Sequence, residues 1–97
     1  MSSDTVGIGI VGLRNIGMNH AKLGASDQGC RLVAVAETDP DRVAEGSRLG
    51  DDVRAYSNAE DLLGDDRVDG VVLAVPNHLH APLTVVALRA GKHVLEI

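Results

Sequence analysis

Short apolar runs rich in β-branched residues alternate along this chain with segments carrying helix start and stop signals, and that alternation restricts the fold more than any other feature. The runs are Val6–Val11, Leu32–Ala36, Val68–Val75 and Val94–Ile97, with a weaker extended piece at Val53–Tyr56. Apart from the glycines of the first run they are almost continuously hydrophobic, as strands covered on both faces are. Strands that alternate with helices over short connections imply a parallel sheet with right-handed crossovers.

The intervening segments read as four helices. Ile16, His20, Leu23 and Gly24 recur at helical spacing and end near Asp27-Gln28-Gly29. Asp39-Pro40 opens a second helix, with Val43, Ala44 and Leu49 facing inward and Gly50 closing it. Ser57 and Glu60 have the capping-box spacing ahead of Leu62-Leu63, with Gly64 as the stop. Pro82 starts a fourth helix, Leu83–Ala90, which Gly91 ends. The expected class is α/β: a doubly wound, mostly parallel sheet of about five strands with helices on both faces. It occupies residues 1–97 as one domain, with no linker or internal repeat.

Composition narrows the functions open to such a domain. With 9 basic against 14 acidic residues and a formal net charge of −5, there is no clustered positive surface for nucleic acid. The chain has no apolar run long enough to span a membrane, and its start, Met-Ser-Ser-Asp-Thr, lacks the basic region of a signal peptide. The single Cys30 excludes an internal disulfide and fits a reducing, cytoplasmic compartment. Tyr56 is the one aromatic residue, which excludes base-stacking platforms and leaves the core to Val, Ile, Leu and Ala.

Three segments carry chemistry. The first strand runs into Gly12-Leu13-Arg14-Asn15-Ile16-Gly17 and then a helix, the context in which a dinucleotide pyrophosphate meets unpaired N–H groups at a helix N-terminus. The middle glycine of the G-x-G-x-x-G pattern is absent, since position 14 is Arg; its guanidinium could pair with a phosphate instead. A plain tight βα turn made by Gly12 and Gly17 is the alternative. The second segment ends at Glu37, just past the second strand, where such folds put the acid that takes the adenosine ribose hydroxyls. A carboxylate there repels a 2′-phosphate and so favours NAD over NADP. Arg42, one turn further, is either a cation relevant to that choice or a solvated partner of Asp39 or Asp41.

The third segment, Val75-Pro76-Asn77-His78-Leu79-His80, follows the fourth strand and opens at the same sheet edge. Pro76 stiffens the turn, and Asn77 can donate and accept hydrogen bonds near a nicotinamide ribose. His78 and His80 have no Cys or carboxylate at ligand spacing, so no metal is assigned. His20 and His93 are read as serving packing or a local backbone bond.

Val6 to Gly12 through Ile16-Gly17-Met18-Asn19-His20, Leu32 to Ala36 with Asp39-Pro40-Asp41-Arg42, and above all Pro76-Asn77-His78-Leu79-His80 with Ala87 to Val94, resemble the N-terminal half of the Gfo/Idh/MocA oxidoreductases. Tyr56-Ser57 with Glu60 to Leu63, and Val68-Asp69-Gly70-Val71-Val72, continue the likeness over nearly the whole chain. The resemblance implies a Rossmann domain and hydride transfer between a nicotinamide cofactor and a sugar, cyclitol or similar polyol. It carries cofactor contacts onto Gly12, Leu13, Arg14, Asn15, Ile16, Glu37, Val75, Pro76 and Asn77, with His80 near the nicotinamide end. Arg14 departs from the family pattern, and Ile97 stands where the family begins a Glu-Lys-Pro segment whose Lys helps bind substrate and catalyse. The family's C-terminal α+β domain, which forms the substrate pocket, has no counterpart here, so no residue of this chain is assigned a catalytic role.

Two functions follow as expectations. One is the NAD-binding half of an oxidoreductase, with a small polyol as substrate only where the second domain exists. The other is a stand-alone, non-catalytic nucleotide-binding or interaction module, self-associating through the terminal strand.

Overall fold

A computed structural model describes residues 6–12, 30–50 and 52–96. The expected first helix, with Leu13, Arg14, Asn15, Ile16 and Gly17, lies outside the described residues. Within them the elements run β1 (Val6–Val11), β2 (Cys30–Ala36), α1 (Pro40–Ser47), β3 (Arg54–Tyr56), α2 (Ala59–Leu63), β4 (Gly70–Leu73), α3 (Asn77–Arg89) and β5 (His93–Glu96). The five described strands form one sheet in the order β3-β2-β1-β4-β5, parallel at every pairing. Strand order therefore reverses between β1 and β4, which creates a crevice outside their carboxyl ends.

The sheet buries both faces. Val11, Val33, Leu62, Leu63, Val68, Leu73 and Ala87 form one core layer beneath α2 and α3, joined by Tyr56, Leu83 and Val94. Ile10, Leu32, Val35 and Val72 form the other, with Leu49 and Val53 packed on it. Gly9 lets α2 approach the sheet: a Cβ there would come to 2.8 Å from Leu62 Cδ2. β1 and β2 are out of step by one residue, since Ile8 faces Leu32 but Gly9 faces Ala34. Val33 is the extra residue of this bulge, and its carbonyl accepts from the Arg67 guanidinium at 2.8 Å.

Local expectations meet four corrections. α1 opens as expected, with Asp39 as N-cap accepting from the Asp41 N–H and Pro40 in the first turn. It stops at Arg48, before Gly50; Ala44 is exposed and Gly46 is the buried residue of the helix. The α2 cap is Asn58, one residue beyond Ser57, and Asp61 rather than Glu60 returns the bond: Asn58 Oδ1 accepts from the Asp61 N–H, and Asn58 Nδ2 donates to its carboxylate. β4 is shorter than the apolar run, because the Val68 N–H turns back to the Asp65 carbonyl and Val75 lies past the last pairing. α3 begins at Asn77, with Pro82 inside it rather than at its start. Its other end is as expected: Gly91 has a φ of 79°, and the Gly91 and Lys92 N–H groups bond the Leu88 and Ala87 carbonyls. These two bonds make a Schellman motif, which requires the left-handed residue that glycine supplies.

Candidate functional site

Beyond the last paired residues, three backbone bonds tie the loops at the carboxyl edge together. The Gly12 N–H donates to the Ala36 carbonyl (2.8 Å), the Ala74 N–H to Val11 (2.8 Å) and the Glu37 N–H to Tyr56 (3.1 Å). Above this edge lies a cleft of about 430 Å³. Its floor is Val11, Gly12, Ala36 and Ala74; Val75 and Pro76 make one wall with Leu79 and Leu83 of α3. Glu37 and Thr38 make the opposite rim, beside Asn58, Ala59 and Glu60.

Gly12 is the position on which this shape turns. Its φ is 95°, and a Cβ there would run into the carbonyl of Ala74. A side chain would thus both strain the backbone and part the β1 and β4 loops, so the floor stays bare backbone. Such a floor suits a ligand that must approach the main chain closely.

Glu37 is held in place by its own loop. Its Oε2 accepts from the Thr38 N–H (2.8 Å), the Asp39 N–H (3.0 Å) and the Thr38 hydroxyl (3.3 Å). Three donors on one oxygen fix an acceptor at the rim, as recognition of a vicinal diol needs. Glu37 and Glu60 are the charged side chains of the lining among the described residues. The cleft rim is therefore acidic there.

Of the residues expected at a cofactor site, Gly12, Glu37, Val75 and Pro76 are brought together on this cleft. Asn77 and His80 stand just outside the lining, on the first turn of α3. His80 Nε2 lies 2.7 Å from the Val75 carbonyl and donates to it, so His80 steadies the Val75-Pro76 turn. Leu13, Arg14, Asn15 and Ile16 lie outside the described residues. Leu79 of the expected third segment also lines the cleft, together with Thr38, Asn58, Ala59, Glu60 and Leu83, which the sequence motifs do not mark. For Asn58, Ala59 and Glu60 the available signal is topological: β3 ends at the same edge, so the residues that follow it belong there.

A second polar cluster lies away from this cleft. The Asp65 carboxylate is buried (8% exposed) and accepts from the Arg67 side chain (3.0 and 3.2 Å), the Arg67 N–H (2.9 Å) and the Tyr56 hydroxyl (2.8 Å). The Arg67 guanidinium brings its pKa down from 3.8 to about 2; burial opposes this, and the Arg67 N–H and Tyr56 hydroxyl add to it. Arg67 also donates to the carbonyl of Asp52, and Lys92 Nζ to that of Asp65. The cluster is structural: it braces β2, β3 and the turn before β4.

An open parallel sheet with a bare-backbone crevice at its switch point and an acid after the second strand defines a nucleotide-binding α/β domain. Comparison with known proteins sharpens that class. Residues 6–96 match the model of an oxidoreductase family described as having an NAD-binding Rossmann fold, and the chain belongs to this Gfo/Idh/MocA family. Inositol 2-dehydrogenase 1 of Saccharopolyspora erythraea is 40% identical over 93 residues, which are 94% of this chain and 28% of that protein. The chain thus spans under a third of the relative's length. Scyllo-inositol dehydrogenase of Lactobacillus casei, solved with NAD(H) and scyllo-inositol, superposes with a TM-score of 0.87 at 31% identity, over 95% of this chain and 27% of that one. A 3-ketoreductase of Actinomadura kijaniata, solved with TDP-benzene and NADP, gives 0.85 at 31% identity, over 95% and 29%.

Proposed function

We propose that this chain is the NAD-binding portion of an oxidoreductase acting on a cyclitol, sugar or related polyol. The observation that carries this reading is the convergence of Gly12 and Glu37 on one cleft at the strand-order reversal. The cleft takes the adenosine half of the dinucleotide, with the ribose hydroxyls on Glu37 and the chain close over Gly12. The pyrophosphate falls to Leu13, Arg14, Asn15 and Ile16, and the nicotinamide half to Val75, Pro76 and Asn77, with His80 holding that turn. The nicotinamide, when bound, supplies the site that accepts or gives the hydride. A cyclitol substrate is supported by the relatives, two of which are named for inositol. Substrate contacts and proton transfer are assigned to no residue of this chain. A cytoplasmic location is part of the same reading, supported by the single Cys30. No helix among the described residues is long and apolar enough to cross a membrane.

Titration with NADH and NADPH, followed by nicotinamide fluorescence, tests the reading. NADH is expected to bind tighter than NADPH, and Glu37→Ser to narrow the difference. Absence of any response at millimolar dinucleotide sinks it.

A non-catalytic interaction module is the second reading, and the outer edge of β5 favours it. Among the described residues β5 pairs only with β4, and beside it Leu95 (56% exposed) and Leu88 (60%) are uncovered. A second copy joined along this edge would cover them, giving a dimer mass in native mass spectrometry that a Leu95→Lys variant loses.

A further inference from the structure

Tyr56 joins the cleft rim to the buried polar cluster. Its carbonyl accepts from the Glu37 N–H at 3.1 Å, and its hydroxyl donates to the Asp65 carboxylate at 2.8 Å. We propose that Tyr56 is a positioning residue for dinucleotide binding: through it the Asp65–Arg67 pair fixes the Glu37 main chain, and so the acid that takes the adenosine ribose. The inference rests on the cofactor reading above and adds a residue that lies outside the cleft lining.

β3 needs such a tie. It is 3 residues long, lies at the edge of the sheet and pairs with β2 alone among the described residues. Short elements held by few backbone bonds are the first to open locally. Tyr56 is the last residue of β3, and the chain runs on from it into Asn58, Ala59 and Glu60. The end of β3 therefore carries one part of the rim and holds the other, Glu37, by its main chain.

The anchor at the far end of the ring is firm. A phenol O–H on a carboxylate is a charge-assisted bond, about twice as strong as a neutral one. Asp65 is held from several sides: the Arg67 side chain grips its carboxylate, the Arg67 N–H adds a third bond, and Lys92 Nζ donates to its carbonyl at 3.1 Å. Arg67 is fixed in turn on the carbonyls of Val33 and Asp52. Between these ends the Tyr56 ring packs on the core layer beneath α2 and α3. A shift at the hydroxyl is thus passed to the strand end and not absorbed by a loose side chain.

Tyr56→Phe removes the hydroxyl and keeps the ring, its packing and the main-chain carbonyl. NADH affinity is expected to fall about threefold, a part of what one hydrogen bond is worth. In a Glu37→Ala background the same substitution should leave affinity where it was, because the acid being positioned is gone. An equal loss in both backgrounds overturns the inference, since Tyr56 would then serve the fold alone. So does an undiminished affinity in Tyr56→Phe. Tyr56 is also the one tyrosine, so 13C-labelled tyrosine gives the natural chain a single ring to follow by NMR, independent of how any Tyr56 variant folds. Its signal should shift when NAD is added to the natural chain and stay in place in Glu37→Ala saturated with NAD. A signal unmoved in the natural chain, or moved equally in both, overturns the inference. A chain that binds no dinucleotide overturns the cofactor reading and the inference together.

Discussion

Arg67 donates to the carbonyl of Val33 at 2.8 Å, and Val33 is the residue that the β1–β2 register skips. A bulge leaves a main-chain group without its ladder partner, and a buried orphan of that kind costs about 1–3 kcal/mol. Arg67 supplies the donor, and Asp65 keeps the guanidinium aimed at it. Replacing Arg67 with Met keeps the stem but leaves the Val33 carbonyl unpaired and Asp65 without its ion pair. The expected loss is about 3 kcal/mol, read from urea unfolding followed by far-UV circular dichroism. Arg67→Lys should lose less, because it restores the charge without the fork. A loss below about 0.5 kcal/mol for the Met variant would mean that the bulge is satisfied another way.

The same network makes stability depend on acid pH. The Asp65 pKa is lowered from 3.8 to about 2 in the folded chain, so its contribution is complete above the ordinary value and disappears as pH falls through the folded one. The shift corresponds to about 2 kcal/mol, present at neutral pH and lost by about pH 2. Urea midpoints measured across that range should therefore fall more steeply for the natural chain than for Asp65→Asn. Parallel curves would remove Asp65 from the account of acid unfolding.

The sheet and half of the cleft were legible because each depends on local sequence. Apolar runs mark the strands; Gly12 and Glu37 directly follow β1 and β2, and Val75 and Pro76 lie just past the end of β4, so a parallel sheet gathers them at one edge. The bulge was not legible, since Cys30–Ala36 reads alike in either register and the partner of Val33 is 34 residues away. Asn58, Ala59 and Glu60 are hard to place at the cleft from sequence, because β3, at three residues, leaves only a weak extended signal ahead of them. Asn58 and its neighbour Ser57 satisfy the same capping-box spacing, with Asp61 and Glu60 respectively; the bond to the Asp61 N–H decides between them.

Pro82 departs from the helix-start position that prolines favour, with a testable consequence. A proline early in a helix normally sits in the first turn, where its missing N–H costs nothing. Here α3 begins at Asn77, so Pro82 is its sixth residue and cannot donate to the carbonyl of His78. Pro82 is exposed, so burial does little to offset this. Pro82→Ala is expected to stabilise the chain by about 1 kcal/mol, raising Tm by about 4–8 °C. A fall in Tm would show that the proline sets a bend on which α3 packing depends.

Gly12 and Gly91 separate backbone strain from collision. Both have positive φ, at 95° and 79°, but a Cβ on Gly91 meets nothing within 4 Å, whereas one on Gly12 strikes the Ala74 carbonyl. Gly91→Ala should therefore cost only the left-handed penalty, about 1–2 kcal/mol, and leave NADH binding as it is. Gly12→Ala carries the same penalty and must also push the β1 and β4 loops apart, so about 3 kcal/mol or more is expected. Because those loops form the cleft floor, NADH affinity should drop at least about tenfold in whatever fraction stays folded. Thermal melts give the first comparison, and titration of the folded variants gives the second. Equal costs for the two glycines would mean that the loops part freely, and Gly12 would then serve the turn and not the cleft.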